Sequence, residues 1–220
     1  MRLTVRERSR RQKRVLGRLA TPLVAACTLT TGGCLGGLLP DPGEAPAIYR
    51  LDFPLADVDK RETVRVVRVD NPSSARTFNT REVLVLTADG KLSAASAAQW
   101  SDPIPQLVQD AALARLSRDE AYVAVVPVSG ARTDLRLHLD IRNFSARYDT
   151  GMEAAPLATV EIYATVSDAA TRDFVGSHAV LNSERAMRNS VSAIVDAQGK
   201  ALQDALDDIV IWMNGLDTAT

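Results

Sequence analysis

The stretch that decides the fold is LRLHLDIRNF, residues 135–144. Apolar residues alternate with Arg, His and Asp at every second position, which is the period of a β-strand with one buried and one exposed face. Two more stretches rich in apolar and β-branched residues follow at 158–166 and 174–181, and short turn-like segments at 149–151 and 168–173 separate the three. We therefore predict an antiparallel meander of three long strands.

Shorter strands precede the meander, and the sequence marks a hairpin among them. Apolar and β-branched residues predict strands at 47–52, 63–69, 82–87, 91–98 and 122–126. The dipeptide Asp89-Gly90 lies between the third and fourth of these stretches. Because Asp-Gly is typical of hairpin turns, we expect the third and fourth strands to pair with each other.

Two amphipathic helices complete the pattern. Apolar residues recur at helical spacing at Ile104, Leu107, Val108, Ala111 and Ala112. Ser101-Asp102-Pro103 in front of them predicts a helix start that Asp102 caps. A second helix is predicted from about Ser190, with an apolar stripe that needs a sheet to cover it. The elements together predict an α+β fold: a mixed, largely antiparallel sheet with two principal amphipathic helices packed on it, in a single domain.

The positive charges are concentrated at the N-terminus. The chain of 220 residues has a formal net charge of −1, but its first 18 residues contain eight Arg or Lys and one Glu, so the remainder carries −8. Residues 19–33 contain no charge and end in small residues. Residues 1–33 therefore match a bacterial export signal, with a basic start and a short apolar stretch. The alternatives are a cytosolic basic arm and a membrane anchor, but the stretch is shorter than the roughly 20 apolar residues that cross a bilayer.

Cys34 is the predicted lipidation site. The sequence TGGC, residues 31–34, resembles the lipobox of bacterial lipoproteins, in which small residues precede a cysteine that receives diacylglycerol. Signal cleavage is expected between Gly33 and Cys34, which would leave Cys34 as the acylated N-terminal residue. VAAC at residues 24–27 also fits the motif, but cleavage there leaves a short, interrupted apolar stretch, so Cys34 is favoured over Cys27. Two or three acyl chains would anchor the protein stably.

Residues 34–46 are expected to form a tether. Residues 35–46 contain three Gly and three Pro, a composition that does not support regular structure. At about 3.1 Å per residue in a polyproline-like conformation, the tether would reach roughly 35–40 Å from the membrane. The globular domain is therefore predicted over residues 47–220.

The sequence lacks the motifs that enzymes and metal proteins commonly use. It contains two Cys, two His, no phosphate-binding loop, and no zinc-protease or nucleophile-elbow motif. We predict no catalytic residue, no cofactor and no metal, and the near-neutral charge argues against a nucleic-acid partner. His138 and Asp140 share one face of a strand and could form part of a triad, but no serine is identifiably placed to complete it. His138 and His178 are expected to be solvated, and Trp100 and Trp212 to pack in or around the core.

Several stretches, taken in order, resemble the ABC-type transport auxiliary lipoproteins. This family includes the lipoprotein component of the paraquat-inducible intermembrane transport system. The resemblance runs from Cys34 through nearly the whole mature chain. Its most characteristic parts are WSDP at 100–103 before an amphipathic helix, the long strand at 135–144, and the closing DDIVIW at 207–212. Thr31 stands where the lipobox pattern prefers Leu.

The resemblance implies a non-enzymatic accessory protein of an intermembrane lipid transport system. The implied partners are a mammalian-cell-entry (MCE) domain protein that forms the conduit, and the subunits of an inner-membrane ABC transporter. Acyl chains such as palmitate on Cys34 would hold the domain in the bacterial envelope, facing the periplasm from the outer membrane. A homo-oligomeric ring is a further arrangement that the resemblance suggests. The alternative is an outer-membrane assembly or scaffold lipoprotein with no transporter partner.

Overall fold

Nine strands and two α-helices occur in the residues that the computed structural model describes, 45–53 and 64–217. The strands are β1 Ala47–Tyr49, β2 Arg65–Val69, β3 Ser73–Ser74, β4 Glu82–Leu86, β5 Leu92–Trp100, β6 Tyr122–Val125, β7 Leu135–Arg147, β8 Leu157–Asp168 and β9 Phe174–Arg185. The helices are α1 Ile104–Ser117 and α2 Val191–Asp217. The predicted α+β class is confirmed, and β3 is the strand that has no counterpart among the predictions.

β7 is the central strand, because it pairs along both of its edges. On one edge it runs antiparallel to β8 over its whole length, from Leu135 opposite Asp168 to Arg147 opposite Leu157. β8 pairs in turn with β9, again antiparallel. These two pairings confirm the meander predicted from the alternation in residues 135–144.

The other edge of β7 pairs with three short strands in succession, all parallel to it. β2 lies beside its N-terminal end, β3 beside its middle and β4 beside its C-terminal end. β6 extends the sheet beyond β2, while β5 and then β1 extend it beyond β4. The predicted β4–β5 hairpin is present, and its turn contains Gly90 with a φ of 81°. The parallel pairings were not predicted, because these strands are distant in the sequence and their patterns do not specify a register.

Both helices pack on one face of the sheet. α2 lies over β8 and β9, and α1 lies over β2 and β6 and beside α2. The inward side chains of β7 and β8 are at most 1 % exposed at Leu137, Leu139, Ile141, Val160 and Ile162. Burial of each such side chain contributes roughly 1.5–3 kcal/mol to folding. The core therefore lies between the helices and this one face.

The start of α1 differs from the prediction. Pro103 occupies the N-cap position and no side chain makes a capping hydrogen bond, so the predicted cap at Asp102 is wrong. The N–H of Ile104 instead donates to the backbone carbonyl of Thr80, at 3.0 Å. A carbonyl from the segment before β4 thus satisfies one of the amide groups that a capping side chain would otherwise bind.

Aspartates organise the two turns of the meander. Asp149, after β7, accepts hydrogen bonds of 2.6 and 2.8 Å from Arg185 at the end of β9. Between β8 and β9, Asp168 accepts bonds of 2.8 Å from the backbone N–H groups of Thr171 and Ala170. These hydrogen bonds favour the ionised carboxylates, so they lower the pKa of Asp168 and lower the pKa of Asp149 to about 2.

The bond between Asp149 and Arg185 predicts a loss of stability in acid. A carboxyl group with a lowered pKa stabilises the fold above its ordinary pKa, here 3.8, and loses that contribution as the pH falls through the folded value of about 2. We expect the melting temperature of the wild-type chain to fall from pH 4 to pH 2, over the span of these two pKa values, and Asp149→Asn to show a smaller fall. Thermal melts followed by circular dichroism measure both; equal falls would contradict the role of Asp149.

Gly176 of β9 lies too close to α2 for a larger side chain. A Cβ atom there would lie 3.1 Å from side-chain atoms of both Trp212 and Leu216. We predict that Gly176→Val lowers the free energy of unfolding by about 1–3 kcal/mol, as overpacking usually does, measured by urea titration. The control is Gly215→Ala on α2, where a Cβ meets nothing within 4 Å and helix propensity should add up to about 1 kcal/mol. Unchanged stability in Gly176→Val would contradict the close packing.

Candidate functional site

The predicted lipidation and cleavage sites lie outside the described residues. Cys34 and Gly33 fall before residue 45, as does the alternative Cys27. Lipidation at Cys34 therefore stays a prediction. The functional candidates that the structure does place are on the globular domain.

One face of β7, β8 and β9 points away from α1 and α2, and it is called here the open sheet face. Because Leu137 and Leu139 point into the core, the residues that alternate with them point outward. The pairing register extends the same face across β8 and β9. Its side chains, all half-buried or exposed, include Arg136, His138, Asp140, Arg142, Glu161, Tyr163, Thr165, Ser177, Ala179 and Leu181.

Ser73, His138 and Asp140 meet on the open sheet face. β3 runs beside β7 with Ser73 opposite Asp140, and Ser73 Oγ lies 3.0 Å from His138 Nε2 and 3.0 Å from Asp140 Oδ1. The other carboxylate oxygen of Asp140 binds Arg142 Nε at 2.6 Å. Ser73 is thus the serine that the sequence did not identify beside His138 and Asp140. Only the pairing of β3 with β7, which joins residues 67 apart, brings it there.

The geometry of this group differs from that of a catalytic triad. In a triad the carboxylate binds one ring nitrogen of the histidine, and the serine hydroxyl binds the other. Here the carboxylate and the imidazole both contact the hydroxyl. An ionised carboxylate only accepts hydrogen bonds, so Ser73 donates its one hydroxyl proton to Asp140. That proton points to the carboxylate and not to the imidazole, so the histidine is not placed to remove it. What the group does is join β3 to β7.

Charges of both signs pair at the β2 end of this face. Asp70, directly after β2, binds Arg68 at 2.9 Å and Arg136 at 2.7 Å. Only 17 % of the Asp70 side chain is exposed, and 31 % of each arginine. A partly shielded carboxylate between two guanidinium groups holds both arginines in place, which a solvent-exposed pair would not do. The cluster therefore presents an ordered positive edge.

The middle of the open sheet face is a shallow depression of about 270 Å³. Arg142, Glu161, Tyr163 and Ala179 line it, and the Tyr163 hydroxyl donates to Ser177 Oγ at 2.8 Å. The hydrogen bond fixes the position of a tyrosine ring that is 39 % exposed. An ordered tyrosine with charged neighbours is the chemistry of a protein contact, since Tyr and Arg are enriched in interfaces.

The two tryptophans occupy different environments. Trp100 is 1 % exposed and packs edge-on against Phe144, with ring centres 6.0 Å apart, which confirms its predicted place in the core. Trp212 is half-buried and stacks on His178, with ring centres 5.3 Å apart and 16° between the planes. The prediction of a solvated His178 is therefore wrong, because this histidine belongs to the contact between β9 and α2.

A second concave region lies beside α1. It has a volume of about 320 Å³ and is lined by Arg50, Leu51, Asp52, Phe53, Ser101, Asp102, Leu107, Asp110 and Leu113. Asp102 is therefore part of a pocket wall. The three carboxylates of this pocket do not form a metal site: within residues 45–53 and 64–217, no group of three His, Cys, Asp or Glu side chains could hold a metal ion.

Neither of the two described α-helices could cross a membrane. A membrane-spanning helix must be both long and apolar, and neither α1 nor α2 is. Within the part of the chain that the structure describes, no other α-helix is present.

A known family pattern covers most of the domain. The sequence model of the family described as "ABC-type transport auxiliary lipoprotein component" matches residues 49–210, from the end of β1 into the last turns of α2. The chain therefore belongs to this family, as its resemblance in sequence predicted. None of the curated proteins matches the chain.

Solved structures share the fold at low sequence identity. Protein XCC0632 from Xanthomonas campestris, of family DUF330, is 20 % identical, with 79 % of this chain and 100 % of that one covered and a TM-score of 0.67. An uncharacterized protein is 15 % identical, with 77 % and 99 % covered and a TM-score of 0.63. The hypothetical protein CT253 from Chlamydia trachomatis is 11 % identical, with 72 % and 100 % covered and a TM-score of 0.50. At these identities the likeness concerns the fold alone.

Proposed function

We propose that this chain is the membrane-anchored accessory lipoprotein of an intermembrane lipid transport system. It acts beside an MCE-domain conduit protein and an inner-membrane ABC transporter. The observation that carries the proposal is the family match over residues 49–210, which spans the sheet and both helices. The assignment to the MCE pathway is supported by the resemblance of residues 100–103, 135–144 and 207–212 to lipoproteins of that pathway.

The proposed arrangement has three parts. Residues 1–33 direct export, Cys34 carries the acyl chains, and residues 34–46 connect the anchor to the domain that begins at residue 47. The residue after Cys34 is Leu35. In some bacteria an Asp at this position retains lipoproteins at the inner membrane, so Leu35 supports the outer membrane as the destination. The net charge of −8 after the first 18 residues disfavours electrostatic adhesion to anionic lipid. Attachment to the membrane then depends on the acyl chains.

The open sheet face is the proposed docking surface for the conduit protein. It is the broad face of β7–β9 that neither α1 nor α2 covers, so a partner can reach it without disturbing the core. Its ordered arginines around Asp70 and the fixed ring of Tyr163 provide charged and aromatic contacts. Such pre-ordered side chains lose little conformational entropy on binding.

A non-enzymatic role is supported by the geometry of the group that resembles a catalytic triad. Ser73, His138 and Asp140 are in contact, but the carboxylate binds the serine and not the histidine. The hydroxyl proton of Ser73 then points to the carboxylate, so the histidine does not accept it as a general base would. We infer that this group stabilises the surface of the sheet and does not activate a nucleophile.

The lipid anchor can be tested by labelling. We expect Cys34→Ser to abolish incorporation of radiolabelled palmitate and to release the domain from the membrane fraction or leave a precursor with its signal attached. Cys27→Ser is the matched control and should be labelled like the wild-type chain. Equal labelling of Cys34→Ser and the wild-type chain would exclude Cys34 as the acylated residue.

The partner can be tested by crosslinking in intact cells followed by mass spectrometry. We expect crosslinks to an MCE-domain protein, and we expect Arg142→Glu on the open sheet face to reduce them roughly tenfold, because a reversed charge at an interface weakens binding. Arg132→Glu, in the connection between β6 and β7, is the same change outside this face and should have little effect. Melting temperatures show whether both variants fold. Crosslinks to unrelated outer-membrane proteins alone would favour the scaffold alternative.

A further inference from the structure

β9 is a free edge of the sheet that the described residues form. Within residues 45–53 and 64–217 it pairs with β8 and with no other strand, over 12 residues. Residues 174–183 of this strand contain no charge and no proline. Edge strands are usually short, charged or interrupted by proline, because bare backbone N–H and C=O groups pair readily with another strand. A long and uncharged edge indicates a surface that another strand covers.

The pairing register shows which backbone groups of β9 face outward. The N–H of Ala186 donates to the carbonyl of Pro156, at 3.0 Å, and bonded and non-bonded pairs alternate along an antiparallel ladder. Ser177, Ala179 and Leu181 therefore direct their N–H and C=O groups away from β8. Val175 is skipped in the pairing, as in a β-bulge, so Phe174 is the next residue toward the start of β9 that faces outward.

The side chains of these four residues all lie on the open sheet face. Phe174 pairs with Ser167 and Leu181 pairs with Glu161, both at outward positions of β8. Phe174 is 68 % exposed and Leu181 is 62 % exposed, and the two residues between them, Ser177 and Ala179, are small. Along β9, the outward side chains follow the order large, small, small, large, and this order is the same from either end of the strand. The edge is therefore complementary to a second copy of itself in antiparallel orientation.

We propose that two copies of this chain pair through β9, related by a two-fold axis beside His178. In this register Ser177 of one copy lies opposite Ala179 of the other, and the bulge at Val175 brings Phe174 opposite Leu181. All four outward-facing residues then find backbone partners, and the two exposed apolar side chains cover each other. No charged residue of 174–183 is brought opposite a like charge, because the stretch contains none.

Two further features favour a second copy as the occupant. The other strands of the described sheet that pair along a single edge are β1, β3 and β6, which have three, two and four residues, too few to cover β9 from Phe174 to Leu181. On α2, Ile211 is 67 % exposed and adjoins Trp212, which stacks on His178. An exposed apolar residue of the helix thus lies at the level of the proposed axis. The pairing is independent of the proposed conduit partner and can be tested without it.

The register can be tested by disulfide crosslinking of the full-length chain in detergent, with Cys27 and Cys34 replaced by Ser. Ser177→Cys and Ala179→Cys chains with tags of different length are produced together and treated with a mild oxidant. Opposite residues of a bonded pair have Cα atoms about 5.5 Å apart, within the disulfide range of about 4.4–6.8 Å, so the mixed dimer should form. Like positions would be about 8 Å apart, so neither chain should crosslink to itself. Dimers of Ala179→Cys alone would overturn this register, and absence of every crosslink would overturn the pairing.

The assembly itself can be tested by light scattering after size-exclusion chromatography of the full-length chain. We expect two chains per particle for the wild-type protein and one for Ala179→Pro, because proline removes an N–H that faces the second copy but not one that binds β8. Ala179→Ser is the matched control and should remain dimeric, and thermal melts show that both variants fold. A wild-type monomer, a larger ring, or a dimeric Ala179→Pro chain would each overturn the proposal.

Discussion

The sheet depends on one constraint: the backbone of β7 is hydrogen bonded along both edges at once. Its pairing with β8 extends over the whole strand and fixes which side chains point into the core. A shift of one residue would turn Leu137 and Leu139 to solvent and Arg136 and His138 inward, so the register is strongly determined. β2, β3 and β4, with five, two and five residues, then add to an edge that is already ordered. They are too short to form a stable sheet alone.

The same constraint explains what could be predicted from the sequence. The meander and both helices were predictable because each has a regular apolar period within a single segment. The parallel pairings were not predictable, because several elements of the chain separate β2 from β7. The two strands pair through backbone hydrogen bonds, which leave no pattern in the side chains. Asp102 shows a related failure: a good capping residue stands before α1, but Thr80 supplies the acceptor from a distant part of the chain.

The candidate surface was harder to predict than the fold. His138 and Asp140 look like ordinary outward residues of a strand, and their partner Ser73 becomes visible only once β3 is placed beside β7. His178 is a second example, on the other face of the sheet. Nothing in the sequence around it indicates that its ring stacks on Trp212. The family, in contrast, was recognisable from short segments of sequence, and the match over residues 49–210 confirms it.

The placement of both helices on one face has a consequence for how such proteins diverge. The buried apolar side chains of β7–β9 point to the side of the sheet on which the helices pack, so the opposite face contributes less to the core. Substitutions of exposed residues there that make no hydrogen bond or ion pair are expected to change stability by less than about 0.5 kcal/mol, as at most surface positions. A lineage could therefore replace the exposed residues of that face while retaining the same scaffold.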